Sequence, residues 1–128
     1  MVYRMIFNQT AYFGRGAIKE IPAVAKQHGF TKAFIVTDPV LLETGTAECI
    51  KDGVAKFAES GADFLIGLGG GSPQDTCKGI GIITANPEFA DVLSLEGVAD
   101  TKNPSVPIFG VPTTAGTASE TTINYVVT

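Results

Sequence analysis

An apolar run at residues 63–68 (DFLIGL) leads straight into GGGSPQD at residues 69–75, and residues beyond carry helical spacing. Few chains can accommodate that join except as a buried strand, a tight turn and a helix. Three adjacent glycines permit positive φ and let a ligand reach the backbone without meeting a Cβ. Ser72 suits the N-cap of a helix over 73–84, Pro73 its first position, and Asp75 completes a Ser-x-x-Asp capping box. Such a helix start offers free N–H groups and a positive dipole end to an anion. A plain strand-to-helix turn would need one glycine; three in a row favour a phosphate. Gly67 and Gly69 match the common dinucleotide fingerprint, but Ser72 stands where its last glycine belongs, and the lysine of a P-loop is absent.

The rest of the chain alternates in the same way. Residues 4–9 (RMIFNQ), 32–37 (KAFIVT), 107–111 (PIFGV) and 123–127 (INYVV) read as strands. Ile18, Ile21, Ala25 and His28 have helical spacing, with Pro22 in the first turn of a helix starting near Ile21 and Gly29 ending it. Leu41 and Leu42 begin a short helix that Gly45 closes. Residues 48–60 form another, with Ile50, Val54, Phe57 and Ala58 on one face and Gly61 at its end. Residues 86–97 are turn-rich with a short helical piece. Strands alternating with helices predict an α/β fold with a largely parallel sheet and right-handed crossovers, one domain over residues 1–128. Ligands on such sheets sit at the carboxyl ends of the strands, and Asp38, Gly69 and Thr113 each follow one.

Composition narrows the partners. The net charge is −4 and no basic stripe is present, which argues against nucleic acid. Charged residues make up 17%, below the roughly 25% of an ordinary soluble domain. Either the sheet is covered on both faces, or part of the surface packs against something outside this sequence. No apolar run reaches signal or membrane-spanning length, so a cytoplasmic protein is expected. Cys49 and Cys77 are the only cysteines and read as reduced, buried thiols.

Each remaining polar candidate has a plain alternative. Asp38 can accept both hydroxyls of an adenine ribose, or merely cap an Asp-Pro turn. Residues 113–117 (TTAGT) offer three hydroxyls to a pyrophosphate, or form an ordinary threonine-rich turn. Asn124 in a strand is more often a satisfied edge residue than a substrate contact. His28, without a second His or Cys at metal spacing, reads as structural at a helix C-terminus. Cys77, one turn into the phosphate helix, reads as a packed thiol.

Taken together, SGADFLIGLGGGSPQDTCKGIGII and PSVPIFGVPTTAGTASETTINYVVT resemble the iron-activated, metal-dependent (group III) alcohol dehydrogenases; NQTAYFGRGA and KAFIVTD match the opening of that family. The resemblance implies a Rossmann-like sheet flanked by helices, the N-terminal domain of the dehydroquinate synthase-like fold. It also implies NAD as cofactor, iron or zinc in a helical C-terminal domain, and reduction of short aldehydes such as lactaldehyde to 1,2-diols. By the same resemblance Asp38 holds the adenine ribose, and Gly70, Gly71, Ser72 and Asp75 surround the pyrophosphate. Thr113, Thr114 and Thr117 meet the phosphates and nucleotide, while Asn124 and Val126 lie near nicotinamide and substrate. A homodimer through the strand at 4–9 is a further family trait. The family's metal ligands, an Asp and three His, have no positions in this sequence. Its second strand and Asn-Pro-Thr turn are missing between Asp38 and Ala62. Those absences leave open a non-catalytic nucleotide-binding module, or an inactive remnant.

Overall fold

A computed structural model describes residues 10–37, 46–97, 99–116 and 118–121. Gly14 and Gly16 carry positive φ and turn the chain into a 3-10 segment, Ala17–Glu20, which runs into α1, Ile21–Gln27. Pro22 lies in the first helical turn, where no N–H partner is needed, and Gly29 at φ 75° ends the helix. β1 is Ala33–Thr37, α2 is Thr46–Ser60, β2 is Phe64–Gly69, α3 is Gly71–Ala85 and β3 is Ile108–Pro112. Short 3-10 turns at Pro87–Phe89 and Val92–Leu95 supply the helical piece expected at 86–97. The expected strands at 4–9 and 123–127 and the short helix at 41–42 lie outside the described residues.

The sheet is parallel throughout in the order β1-β2-β3, with Ala33 beside Phe64 and Leu65 beside Ile108. α2 and α3 pack against each other on one face of the sheet. There Phe57 of α2, Leu65 of β2, and Cys77 and Ile80 of α3 form the core, with Phe34, Val36 and Ile108 against them. The two helices approach closely through reciprocal isoleucine–glycine contacts. A Cβ on Gly79 would stand 2.5 Å from Ile50 Cδ1, and one on Gly53 would stand 2.4 Å from Ile80 Cδ1. Any larger residue at either glycine must push an isoleucine out of a filled interior.

The opposite face carries an aromatic row. Phe30 stacks on Phe64 at 5.4 Å, and Phe109 meets Phe64 edge-on at 5.5 Å. These pairs are geometries that ring quadrupoles favour. His28 is the C-cap of α1 and its ring stacks on Phe30 at 5.6 Å. Ile35 on this face stays largely exposed, as does Phe13 at 92%.

Two polar clamps fix the strand entries. The Asp63 carboxylate accepts from the Thr31 and Lys32 amides at 2.8 and 2.9 Å, tying β1 to β2 at their starts. Those backbone donors hold its pKa below the usual carboxylate value. Buried Asn86 accepts from the Asn103 amide at 2.9 Å and donates to the Asn103 carbonyl at 2.9 Å, which brings the long return segment back before β3. Among the described residues no helix is long and apolar enough to cross a membrane.

Candidate functional site

β2 ends in Gly69 at φ 143°, a backbone conformation that L side chains rarely adopt. Gly70 follows with φ −75° and ψ −158°, and α3 begins at Gly71. The helix thus starts two residues earlier than the Ser72–Pro73 reading expects. Gly70 is the N-cap, no side chain caps the helix, and the Ser72–Asp75 capping box does not form. The physical reason is that Gly70 can take the extended N-cap backbone and Gly71 the first helical position without steric cost, while Pro73, in the first turn, still needs no N–H partner. The result is a 15-residue helix whose first amides are left without a side-chain acceptor. Such a terminus attracts an anion through its free N–H groups and its dipole.

The loop after β3 closes over this turn. The Thr113 amide donates to the Gly69 carbonyl at 2.9 Å, so the ends of β2 and β3 are bonded together. A Cβ on Gly70 would stand 3.2 Å from Thr114 Oγ1. Backbone Gly70 and the Thr114 hydroxyl therefore line a cradle that any side chain at position 70 would fill. Ser72, Thr113 and Thr114 are exposed and Gly70 and Gly71 half-buried, so the cradle opens to solvent. Bare amides, hydroxyls and a helix dipole suit a pyrophosphate. Gly70, Gly71, Ser72, Thr113 and Thr114 are brought together; Asp38, Thr117, Asn124 and Val126 lie outside the described residues.

Asp75 sits one layer below. Its carboxylate accepts from Lys78 at 3.3 Å and from the Ser119 hydroxyl, and Lys78 also donates to Ser119 Oγ at 3.0 Å. Only 15% of the Lys78 side chain and 13% of the Asp75 side chain are exposed. Burial lowers the Lys78 pKa, while Asp75 and Glu120 pull it back upward. Lys78 three residues after Asp75 is a legible helical pair. Ser119, 44 residues from Asp75, gave no local signal. Gln74 was also missed. It is 3% exposed and wedged between Gly67 and Gly110, and its Oε1 has no hydrogen-bond partner among the described residues.

Cys77 is fully buried, and burial pushes its thiol up to about 12, so the helix dipole does not make it a thiolate. Cys49 is half-buried where a buried thiol was expected, and neither cysteine is in a disulfide. Among the described residues no group of three His, Cys, Asp or Glu side chains is placed to hold a metal ion.

A family model described as iron-containing alcohol dehydrogenase matches residues 45–128. Lactaldehyde reductase of Escherichia coli (strain K12) is 50% identical, with all of this chain and 40% of that protein covered. That match runs over 154 positions against the 128 residues of this chain, so 26 positions of the relative have no counterpart here. The NAD-dependent methanol dehydrogenase of Bacillus methanolicus is 36% identical, covering 90% of this chain and 36% of that protein. Among solved structures, the alcohol dehydrogenase from Oenococcus oeni superposes with a TM-score of 0.82 at 32% identity, over 94% of this chain and 38% of that one. The chain thus spans about 40% of the length of the curated relatives it matches.

Proposed function

Because the chain belongs to the iron-containing alcohol dehydrogenase family, we propose that it is the NAD-binding part of an oxidoreductase acting on short aldehydes and alcohols. The substrate class, lactaldehyde and the corresponding 1,2-diol, rests on likeness to lactaldehyde reductase. NAD as the carrier rests on likeness to the NAD-dependent methanol dehydrogenase and on the site itself. The observation that carries the reading is the uncapped start of α3, with Gly70 open against Thr114.

In this reading the amides of Gly71 and Ser72 donate to the pyrophosphate, and the Thr113 and Thr114 hydroxyls close over it from β3. The family pattern assigns Asp38 to the adenine ribose, Thr117 to the phosphates, and Asn124 and Val126 to the nicotinamide and substrate side. The nicotinamide, when bound, exchanges hydride with the carbonyl carbon. The described residues contain no set that fits iron or zinc, so no step is routed through a metal here. Their task is to bind and orient the dinucleotide, a contribution made through proximity rather than bond chemistry.

Isothermal titration calorimetry of the chain against NADH tests this. Saturable one-site heat is expected, and the absence of heat overturns the reading. Adding lactaldehyde and ferrous ion to the NADH-bound chain separates the two roles: oxidation of NADH marks an enzyme, binding without oxidation a nucleotide-binding module.

A further inference from the structure

Gly67 of β2 and Gly110 of β3 stand opposite each other in the sheet register. Their missing side chains leave a gap between the sheet and α3, and Gln74 of α3 occupies it. A Cβ on Gly67 would stand 3.1 Å from the Gln74 Cα, and one on Gly110 would stand 3.1 Å from its Oε1. Glu120 packs on Gly110 as well, its Cα 3.5 Å from that same Cβ position. The side chain is thus held between two strands and the segment after β3, and only 3% of the residue is exposed.

The two ends of this buried amide are unlike. Nε2 donates to the Gly69 carbonyl at 3.5 Å, whereas Oε1 has no hydrogen-bond partner among the described residues. Exchanging the ends would set oxygen against oxygen at Gly69. A buried acceptor left unpaired costs stability, and methionine would fill the gap without that cost. Packing alone is therefore poorly served by glutamine, and the donor end is what sets it apart. The Gly69 carbonyl it meets also accepts from the Thr113 amide at 2.9 Å. Two donors, one from α3 and one from the loop after β3, occupy both lone pairs of a single oxygen. That oxygen belongs to the last residue of β2, next in the chain to Gly70, and its partial negative charge is taken up by donors rather than left to an anion.

We propose that Gln74 is a positioning residue of the glycine turn: from inside the fold its side-chain amide holds the Gly69 carbonyl where the Thr113 amide meets it. It thereby sets the turn against the loop carrying Thr113 and Thr114, without touching the dinucleotide itself. This inference rests on the glycine turn being the dinucleotide site.

The test compares the wild-type chain with Gln74→Met and Gln74→Leu in three readouts: NADH affinity by calorimetry, melting temperature, and the Gly69 carbonyl carbon shift without ligand. Gln74→Met should bind NADH about fivefold more weakly, the scale of one lost neutral hydrogen bond. It should melt at or above the wild-type temperature, because the unpaired buried oxygen is gone. The Gly69 carbonyl resonance should move upfield as the oxygen loses a donor, a signature of the bond rather than of packing. Gln74→Leu should give the same three results and serves if methionine does not fit. Unchanged NADH affinity overturns the inference while the site reading stands, and so does weaker binding with a lower melting temperature. No NADH binding by the wild-type chain overturns the site reading and this inference with it.

Discussion

Replacing Gly70 with valine lowers NADH affinity by about two orders of magnitude, equivalent to about 2.8 kcal/mol, while the chain stays folded. The size follows from what a side chain displaces. A Cβ alone would lie 3.2 Å from Thr114 Oγ1, and the two valine methyls extend farther into the same space. Phosphate oxygens then lose approach to at least one helix amide and one hydroxyl, bonds worth roughly 1.5–3 kcal/mol each when one partner is charged. The φ of −75° is one that any residue adopts, so the change brings no left-handed backbone strain. That distinguishes Gly70 from Gly69, whose φ of 143° makes any side chain a folding problem as well. Calorimetry with NADH, paired with a thermal melt, separates the two effects. Unchanged affinity in a folded Gly70→Val chain contradicts the assignment of the cradle.

The largest stability effect is expected at Leu65. It lies on the central strand, is 0% exposed, and meets Phe57 of α2 and Cys77 and Ile80 of α3. Leu65→Ala removes three carbons from a core that both crossover helices share. The expected loss is about 2–5 kcal/mol. Against a typical total of about 5–15 kcal/mol for a domain, that brings the variant close to unfolding at room temperature. Urea denaturation followed by circular dichroism should show a lower midpoint with an unchanged slope. A loss under about 1 kcal/mol contradicts a core packed across α2, β2 and α3.

What could be read from the sequence divides along the distance over which information travels. The strands and helices of the described region follow from local pattern. Phe64 to Gly69 is a continuous apolar run ending in glycine, and Ile50, Val54 and Phe57 repeat at helical spacing, so both elements fall within two residues of expectation. Pro22 and Gly29 bracket α1 by their own backbone limits. The start of α3 was misplaced by two residues because Ser72 and Gly70 both offer a start, and local propensity favoured the serine. Tertiary contact decided otherwise, since Asp75 is drawn to Lys78 and Ser119 rather than back to the helix end.

Partnerships across many residues left no trace in the one-dimensional pattern. Asn86 and Asn103 pair over 17 positions and hold the return segment, yet each reads locally as a turn residue. Phe30, Phe64 and Phe109 belong to three separate segments, and only the parallel register lines them up on one face. Lys78 and Ser119 stand 41 residues apart. The glycine turn was legible because its chemistry lies in consecutive residues. The bonds of Lys78 and Asp75 to Ser119 were not, because they exist only once the segment after β3 lies beside α3.

The central claim is that the turn at Gly69, Gly70, Gly71 and Ser72, faced by Thr113 and Thr114, receives the pyrophosphate of NAD. An amide-resolved NMR titration of the chain with NADH addresses it residue by residue. The account predicts that the Gly70, Gly71, Ser72, Thr113 and Thr114 amides shift most, and together along one binding curve. Shifts that gather elsewhere while these five amides stay still would contradict it.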